Sequence, residues 1–247
     1  MFDVISSSRR RSPSGFSPLD LSPSIWLDAS DASTLYDATT GGSLVEADGS
    51  IARWEDKSGN GLHMTQATST ARPLRRASFL SRGGIEFTEL NNKKLQRTSV
   101  NCSGWNIWIV ISANANNPAA STFIGHSGYY VDRVFAYSLN PSTDKIIRLS
   151  SLTSTESTCV WRVNNLGPYA ASTANDLINR VDSQRIYETS ALPTIAAAGT
   201  LSIAGMVTLT ERNWYGKVCE IIAMPTEPTT TQRNNVITYL KAKWSIA

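Results

Sequence analysis

Short apolar runs separated by turn-forming residues fill most of this 247-residue chain, and this pattern limits the fold more than any other feature. Ile85 and Phe87 alternate with polar residues, as in a strand with one solvated face. Residues 107–111 form a continuous apolar run, which is typical of a central strand covered on both sides. Other strand-like segments occur at residues 159–163, 201–203 and 217–223. Many short strands predict an all-β fold of two antiparallel sheets, packed as a sandwich.

Helical spacing occurs only near the C-terminus. Residues 229–231 are threonines, whose hydroxyls can cap a helix, and apolar residues then recur at helical intervals up to Trp244. Lys241 and Lys243 would lie in the last turn, where the helix dipole favours positive charge. The sequence therefore predicts one short C-terminal helix beside the sandwich.

Glycine and asparagine mark two tight turns early in the chain. Residues 56–61 read DKSGNG, in which two glycines and an asparagine adopt positive φ at little cost and Asp56 can cap the following backbone. Asp48-Gly49 lies between two strand-like arms, so a hairpin is expected there. Both turns support the all-β interpretation.

Length and composition indicate one folded domain, placed at residues 24–247. The content is 41% hydrophobic and 17% charged, and a net charge of +3 gives no strong argument for nucleic acid or a membrane as partner. No stretch approaches the roughly 20 apolar residues of a membrane helix, and no apolar core follows the N-terminal arginines as in a signal peptide. Three distant cysteines, Cys102, Cys159 and Cys219, are expected to be reduced and buried.

Residues 1–23 differ in composition from the rest of the chain. They are rich in Ser, Pro and Arg, show no strand or helix period, and carry isolated apolar residues such as Phe16 and Leu19. Two interpretations fit this pattern equally: an extended arm that lies on a neighbouring subunit, and a disordered leader. Three consecutive arginines, residues 9–11, are a weak signal for nucleic acid.

The chain contains no recognisable catalytic constellation, so no catalytic, cofactor-binding or metal residue is assigned. Glycan hydrolysis needs two facing carboxylates, about 5 Å apart or somewhat more. Glu86 and Glu89 would lie on opposite faces of a strand, and Glu220 is separated from Glu227 by a strand end. The sequence therefore predicts that the chain is not an enzyme.

Histidine chemistry receives little support. Nucleophilic catalysis by Ser or Cys requires a histidine base, and the chain has only His63 and His126. His63 is expected at the start of a strand, half exposed, and His126 in a flexible loop that lacks the strand–turn–helix context of a nucleophile elbow. Structural or surface roles are predicted for both.

The sequence offers candidate residues for two kinds of binding site. Four aspartates lie in loops that the fold could bring together around calcium: Asp28, Asp31, Asp37 and Asp56. Turn capping is the favoured role for these side chains, and no cofactor is predicted. Aromatic side chains that could stack on sugar rings are Trp105, Trp108, Tyr129, Tyr130 and Trp214. Among these, Trp108 is expected in the core, and Tyr129 and Tyr130 near a glycine-rich loop are expected to include an exposed ring.

Three segments together resemble the laminin-G-like, or concanavalin-A-like lectin/glucanase, family. They are IWLDASDASTL (residues 25–35), the segment 51–73 that contains DKSGNG, and the closing strand and helix of residues 214–246. Residues 88–99, TELNNKKLQRTS, replace the Gly/Asp-rich turn that the family often has after the strand at Ile85. The resemblance implies a two-sheet jelly roll, and such scaffolds serve sugar binding, protein binding and glycan hydrolysis alike.

Similar domains occur in bacteriophage virion proteins, and this sets the leading functional expectation. The chain would be a virion structural protein, a capsid decoration (cement) or fibre component, that binds capsid or tail subunits through its arm and loops. A homo-oligomer, for instance a trimer, would multiply weak contacts. The expected location is the virion, after assembly in the host cytoplasm. The alternative is a carbohydrate-binding module that recognises a host glycan.

Overall fold

The computed structural model describes the greater part of two β-sheets and the helix that covers one of them. It describes residues 15–79, 82–88, 92–113, 121–127, 133–137, 147–148, 161–163, 185–189, 197–205, 207 and 213–246. The strands in chain order are β1 (Ile25–Asp28), β2 (Leu35–Tyr36), β3 (Arg53–Trp54), β4 (Met64–Thr65), β5 (Leu74–Arg76), β6 (Gly84–Phe87), β7 (Leu95–Val100), β8 (Asn106–Ala113), β9 (Ser121–His126), β10 (Arg133–Tyr137), β11 (Ile147–Arg148), β12 (Trp161–Val163), β13 (Arg185–Thr189), β14 (Gly199–Ile203) and β15 (Gly216–Met224). The helix α1 is Thr230–Trp244.

The first sheet is built around the last strand of the chain. Its order is β12-β13-β8-β15-β6-β5, and β1 also pairs with β15. Strand β8 lies antiparallel along β15, whose other edge is shared by β6 at residues 216–218 and by β1 at residues 220–223. The continuous apolar run at residues 107–111 is therefore a central strand, as predicted.

The second sheet has the order β11-β10-β9-β14-β7-β4-β3-β2, and its pairs are antiparallel. Leu201 and Ile203 of β14 face the first sheet, because side chains two apart on a strand share a face. The described part of the chain thus confirms the all-β class: two antiparallel sheets and one C-terminal helix.

Side-chain alternation on β1 separates two apolar clusters. Ile25 and Leu27 pack between the sheets, whereas Trp26 packs on the outer face of the first sheet, under α1. All four residues of β1 are buried, because the second sheet covers the inner face of this strand and helix α1 covers its outer face. The side chains of strand β15 likewise alternate between the two clusters, on both sides of a register shift between Val218 and Glu220.

Helix α1 begins and ends as the sequence predicts. The Thr229 hydroxyl accepts the N–H of Gln232, and the Gln232 side chain accepts the N–H of Thr229 in return. Ser245 ends the helix in the left-handed conformation. The buried face of α1 covers the first sheet with Val236, Ile237, Tyr239, Leu240 and Trp244. Among the described residues no helix is long and apolar enough to cross a membrane.

The N-terminal segment meets its own domain from residue 15 onward. Residues 18–21 form a short 3₁₀ turn, and the apolar residues Phe16, Leu19 and Leu21 pack against the cluster beneath α1. Residues 1–14 lie outside the described part, so the predicted arm and its boundary at residue 23 stay predictions. Cys102 and Cys219 are buried thiols, as expected, and Cys159 lies outside the described residues.

The predicted hairpin at Asp48-Gly49 is wrong in its pairing. The turn forms, with the N–H of Gly49 donating to the carbonyl of Glu46 at 3.0 Å. Its two arms then diverge: Leu44 bridges to Tyr36 in one direction, while residue 50 bridges to residue 74 in the other. The turn thus connects the edges of the two sheets instead of closing a local ladder.

Candidate functional site

The carboxylates considered from the sequence lie in different environments. Glu86 is held on the first sheet by ion pairs with Arg76 and Lys217, and Glu227 is exposed before α1. Glu89 lies outside the described residues. Glu220 is completely buried, at 0% exposure, and side chains from two elements contact both of its oxygens.

Four donors converge on Glu220 from two elements, Trp26 from β1 and the other three from α1. Its Oε1 accepts the indole N–H of Trp26 at 2.7 Å and the hydroxyl of Tyr239 at 2.9 Å. Its Oε2 accepts the indole N–H of Trp244 at 2.6 Å and lies 2.8 Å from the ammonium nitrogen of Lys243. A buried carboxylate is tolerable only when its oxygens are satisfied in this way, so these contacts tie α1 to the sheet.

Asp28 stands beside Glu220 on the neighbouring strand and shares Lys243 with it. The Lys243 ammonium lies 2.7 Å from Oδ1 of Asp28, and that oxygen also accepts the N–H and hydroxyl of Ser30. On the other oxygen, Lys57 lies at 3.0 Å, and the same ammonium reaches Asp31 at 2.7 Å. The result is a continuous chain of charges from α1 through β1 to the DKSGNG loop.

The sequence does not indicate this pair of acids, because the two residues come from opposite ends of the chain. Both carboxylates contact one ammonium nitrogen, so their nearest oxygens lie no more than about 5.5 Å apart. Asp28 is 4% exposed and Glu220 0% exposed, and α1 covers both. In this arrangement the pair is closed to substrate and water and has a structural role. We call the pair and the side chains that contact Glu220 the clasp; these side chains are Trp26, Tyr239, Lys243 and Trp244.

Burial and neighbouring charge move the pKa values of the clasp in opposite directions. Burial works to raise the pKa of Asp28, but the ammonium groups of Lys243 and Lys57 outweigh it and lower this pKa to about 2. Burial raises the pKa of Glu220; the Asp28 carboxylate adds to this rise and Lys243 opposes it. Burial and the Glu220 carboxylate likewise raise the pKa of Tyr239. Of the two carboxylates that share Lys243, Asp28 therefore holds its charge more firmly.

The DKSGNG loop is organised by one aspartate. Asp56 Oδ1 accepts the backbone N–H groups of Trp26 and Ser58, each at 2.9 Å. Its Oδ2 accepts the N–H of Leu62 at 3.0 Å and the hydroxyl of Ser58 at 2.7 Å. The N–H of Asp56 donates to Nδ1 of His63 at 3.0 Å. His63 is half-buried and holds the loop, which fits the predicted structural role.

The four aspartates weighed as calcium ligands have protein partners instead. The fold does bring two of their loops together, but the Lys57 ammonium occupies the meeting point between Asp28 and Asp31. Asp37 accepts the N–H of Ser43 at 2.8 Å, and Asp31 caps the 3₁₀ turn that follows it. Over the residues that the structure describes, no group of three or more potential metal ligands is found.

His126 is not in a flexible loop. It ends β9, is 0% exposed, and its Nε2 lies 2.9 Å from the carbonyl oxygen of Val100. The expectation failed because the glycine before it, Gly125, lies within the β9 ladder opposite Ser202 and does not begin a loop. The residue is a core histidine.

The tryptophans weighed as sugar platforms are in the core. Trp108 and Trp214 are completely buried, and Trp105 is 5% exposed. Trp108 is in the cluster under α1, as its apolar run predicts, while the other two are between the sheets. Tyr129 and Tyr130 lie outside the described residues. None of the three tryptophans offers a ring face to a ligand.

A groove opens between α1 and the N-terminal 3₁₀ turn. Its volume is about 350 Å³, within the size range of small-molecule sites. The lining residues are Gly15, Phe16, Asp20, Leu21, Asn235 and Thr238. The sequence analysis did not identify this site, because its walls come from the two ends of the chain and contain no motif.

Comparison with known proteins gives likenesses in structure but not in sequence. No protein-family model matches the sequence, and no curated protein does. A GH54 α-L-arabinofuranosidase soaked with a cyclic sulfate inhibitor is similar over 94% of this chain and 65% of its own, with a TM-score of 0.54 and 11% identity. Trypanosoma rangeli sialidase in complex with sialic acid is similar over 93% of this chain and 37% of its own, at a TM-score of 0.50 and 9% identity. At such identity the likeness shows a shared fold.

These neighbours correct one expectation from the sequence. The chain was predicted not to be an enzyme because no paired acids were found, yet the fold is shared with an arabinofuranosidase and a sialidase. That prediction is wrong as drawn, since absence of a local acid motif does not exclude a glycosidase-like fold. The chain spans less than two thirds of either neighbour. The sandwich architecture is thus common to this chain and to carbohydrate-active proteins.

Proposed function

We propose that this chain binds carbohydrate as a β-sandwich recognition domain. The observation that carries the proposal is the architecture that this chain shares, over 94% of its length, with an α-L-arabinofuranosidase. A sialidase solved with sialic acid has a similar architecture and supports the proposal. Because one scaffold serves several activities, the binding surface has to be argued from this chain's own residues.

The internal contacts favour recognition by a preformed surface. The clasp around Glu220 and the Asp56 loop fix α1 and β1 to the first sheet through buried, charge-assisted hydrogen bonds. Rings and polar groups held by such a body lose little conformational entropy when a ligand binds. A rigid frame with a mixed polar and apolar groove at its edge suits a ligand with many hydroxyl groups.

The test is binding of the full chain to a glycan array, followed by titration with the oligosaccharides that score. We expect selective retention of a restricted set of glycans. Uniform absence of binding would overturn the proposal. Release of reducing sugar from the bound glycans, measured in parallel, separates recognition alone from recognition with hydrolysis.

We propose a second role that is compatible with the first: the chain is a component of a bacteriophage virion. Its support is the resemblance to laminin-G-like modules of virion proteins. A variant without residues 1–14 keeps the packed Phe16 and should fold, but should no longer join the particle. Unchanged incorporation, scored by co-sedimentation with particles, would contradict attachment through the arm.

A further inference from the structure

We infer that the groove between the N-terminal 3₁₀ turn and helix α1 is a binding site for one neutral sugar unit. The inference rests on the proposed carbohydrate-binding function and assigns it to a place. At about 350 Å³ the groove is near the lower end of the roughly 300–1,000 Å³ found for small-molecule sites. It therefore suits a ligand of one sugar ring.

The helix wall supplies hydrogen-bonding groups that match hydroxyls. Asn235 and Thr238 are three residues apart on α1, so their side chains lie on the same side of the helix. Both are exposed to solvent. An amide and a hydroxyl each donate and accept hydrogen bonds, as sugar hydroxyls do. A pair of such groups can bind two neighbouring hydroxyls of one ring.

The facing wall supplies apolar surface. Phe16 and Leu21 line the groove and pack on the cluster beneath α1. The Phe16 ring meets the Tyr239 ring edge to face, with centroids 6.0 Å apart and an interplanar angle of 67°. Tyr239 is itself fixed by its hydrogen bond to Glu220. The aromatic residue that sugar C–H groups would contact is thus held by the clasp.

The turn in this facing wall is held by its own hydrogen bonds. Ser17 caps the turn, and Asp20 Oδ2 accepts the N–H of Ser17 at 2.9 Å, which gives a reciprocal capping box. Pro18 opens the turn and Ser22 closes it in the left-handed conformation. The groove is therefore shaped before any ligand arrives, and binding does not have to order the turn.

Charge selects a neutral ligand. Of the six lining residues, Asp20 alone is charged, and its carboxylate is fixed at the groove by the capping box. A carboxylate accepts hydrogen bonds from sugar hydroxyls but repels an acidic sugar. The site should accordingly take neutral pentoses or hexoses and reject sialic acid, in contrast to the T. rangeli sialidase, which was solved with that ligand.

The experiment is a ligand-observed NMR titration of the full chain with methyl α-L-arabinofuranoside, methyl α-D-galactopyranoside and N-acetylneuraminic acid. Asn235→Ala and Thr238→Ala each remove one hydrogen-bonding group from an exposed helix position. The matched control is Asn234→Ala, an exposed neighbour on α1 that does not line the groove. Thermal unfolding of all three variants verifies that the fold is kept.

We expect at least one neutral glycoside to bind, and each groove variant to weaken it about tenfold, the effect of one lost hydrogen bond. The control should change the affinity less than twofold, and N-acetylneuraminic acid should not bind. If both groove variants bind the glycoside as tightly as the wild type does, the proposed site is wrong and the proposed function still stands. Absence of binding by the wild type to any neutral sugar, here and on the glycan array, would overturn both.

Discussion

Asp28 and Glu220 face each other on neighbouring strands and share the ammonium nitrogen of Lys243, which lies 2.7 Å from one carboxylate and 2.8 Å from the other. One contact point therefore joins the first strand, the last strand and the terminal helix. The same helix forms one wall of the groove, so the clasp fixes the proposed site as well as the fold.

Glu220→Ala should destabilise the protein by about 3–5 kcal/mol, the cost of breaking a buried ion pair by removing one partner. The substitution leaves two indole N–H groups and the Tyr239 hydroxyl without their acceptor, and it removes one of the two carboxylates that Lys243 contacts. Urea unfolding at pH 7 measures the loss. Glu227→Ala is the control at an exposed carboxylate and should stay within about 0.5 kcal/mol of wild type. Equal effects of the two variants would contradict the clasp.

Asp28 should contribute stability that acid removes. Its pKa is lowered from 3.8 to about 2 in the folded protein, so the folded state binds this proton more weakly than the unfolded state does. The contribution is then complete above about pH 4 and is lost as the pH falls toward 2, by about 2 kcal/mol. Comparison of wild type with Asp28→Asn should show a stability difference that shrinks by that amount between pH 5 and pH 2. A pH-independent difference would refute the assignment.

Asp56→Ala should cost about 2–4 kcal/mol, because it leaves the buried N–H of Trp26 and three further donors without their acceptor. Asn60→Ala, at the exposed tip of the same loop, removes two contacts to the carbonyls of residues 23 and 24 and should cost less than about 1 kcal/mol. Chemical denaturation of both variants makes the comparison. An equal loss of stability in Asn60→Ala and Asp56→Ala would contradict this role of Asp56.

Gly216→Ala should be poorly tolerated. A Cβ there would lie 2.6 Å from the Trp214 ring and collide with the carbonyl oxygen of Ser112, at a φ of +151°. We expect a loss of about 2–4 kcal/mol from overpacking and backbone strain together. Gly41→Ala, with a φ of +59° and open space around it, isolates the strain and should cost about 1–2 kcal/mol. Thermal unfolding that ranks the two variants in the reverse order would contradict the packing.

The elements that depend on short-range patterns are predictable from the sequence. The caps at residue 229 and the apolar spacing of α1 predict the helix because both are encoded within one stretch. The continuous apolar run of β8 likewise predicts a strand buried on both faces. Binary pattern and capping chemistry act over a few residues, and these predictions are confirmed for that reason.

The contacts between distant parts of the chain could not be predicted from the sequence. The clasp joins Trp26 to Glu220 across 194 positions, and no pattern within either segment indicates the other. His126 looks like a loop residue beside its glycine, but pairing of β9 with β14 buries it. The groove joins an N-terminal turn to a C-terminal helix, and its residues form a site only after both ends of the chain have packed on the first sheet.

The central claim is tested most directly by an amide NMR titration of the isotope-labelled full chain with the neutral glycoside that binds. We predict that chemical-shift changes concentrate at residues 15–21 and 235–238, the two walls of the groove. Shift changes confined to other surfaces, or none at saturating glycoside, would contradict the account.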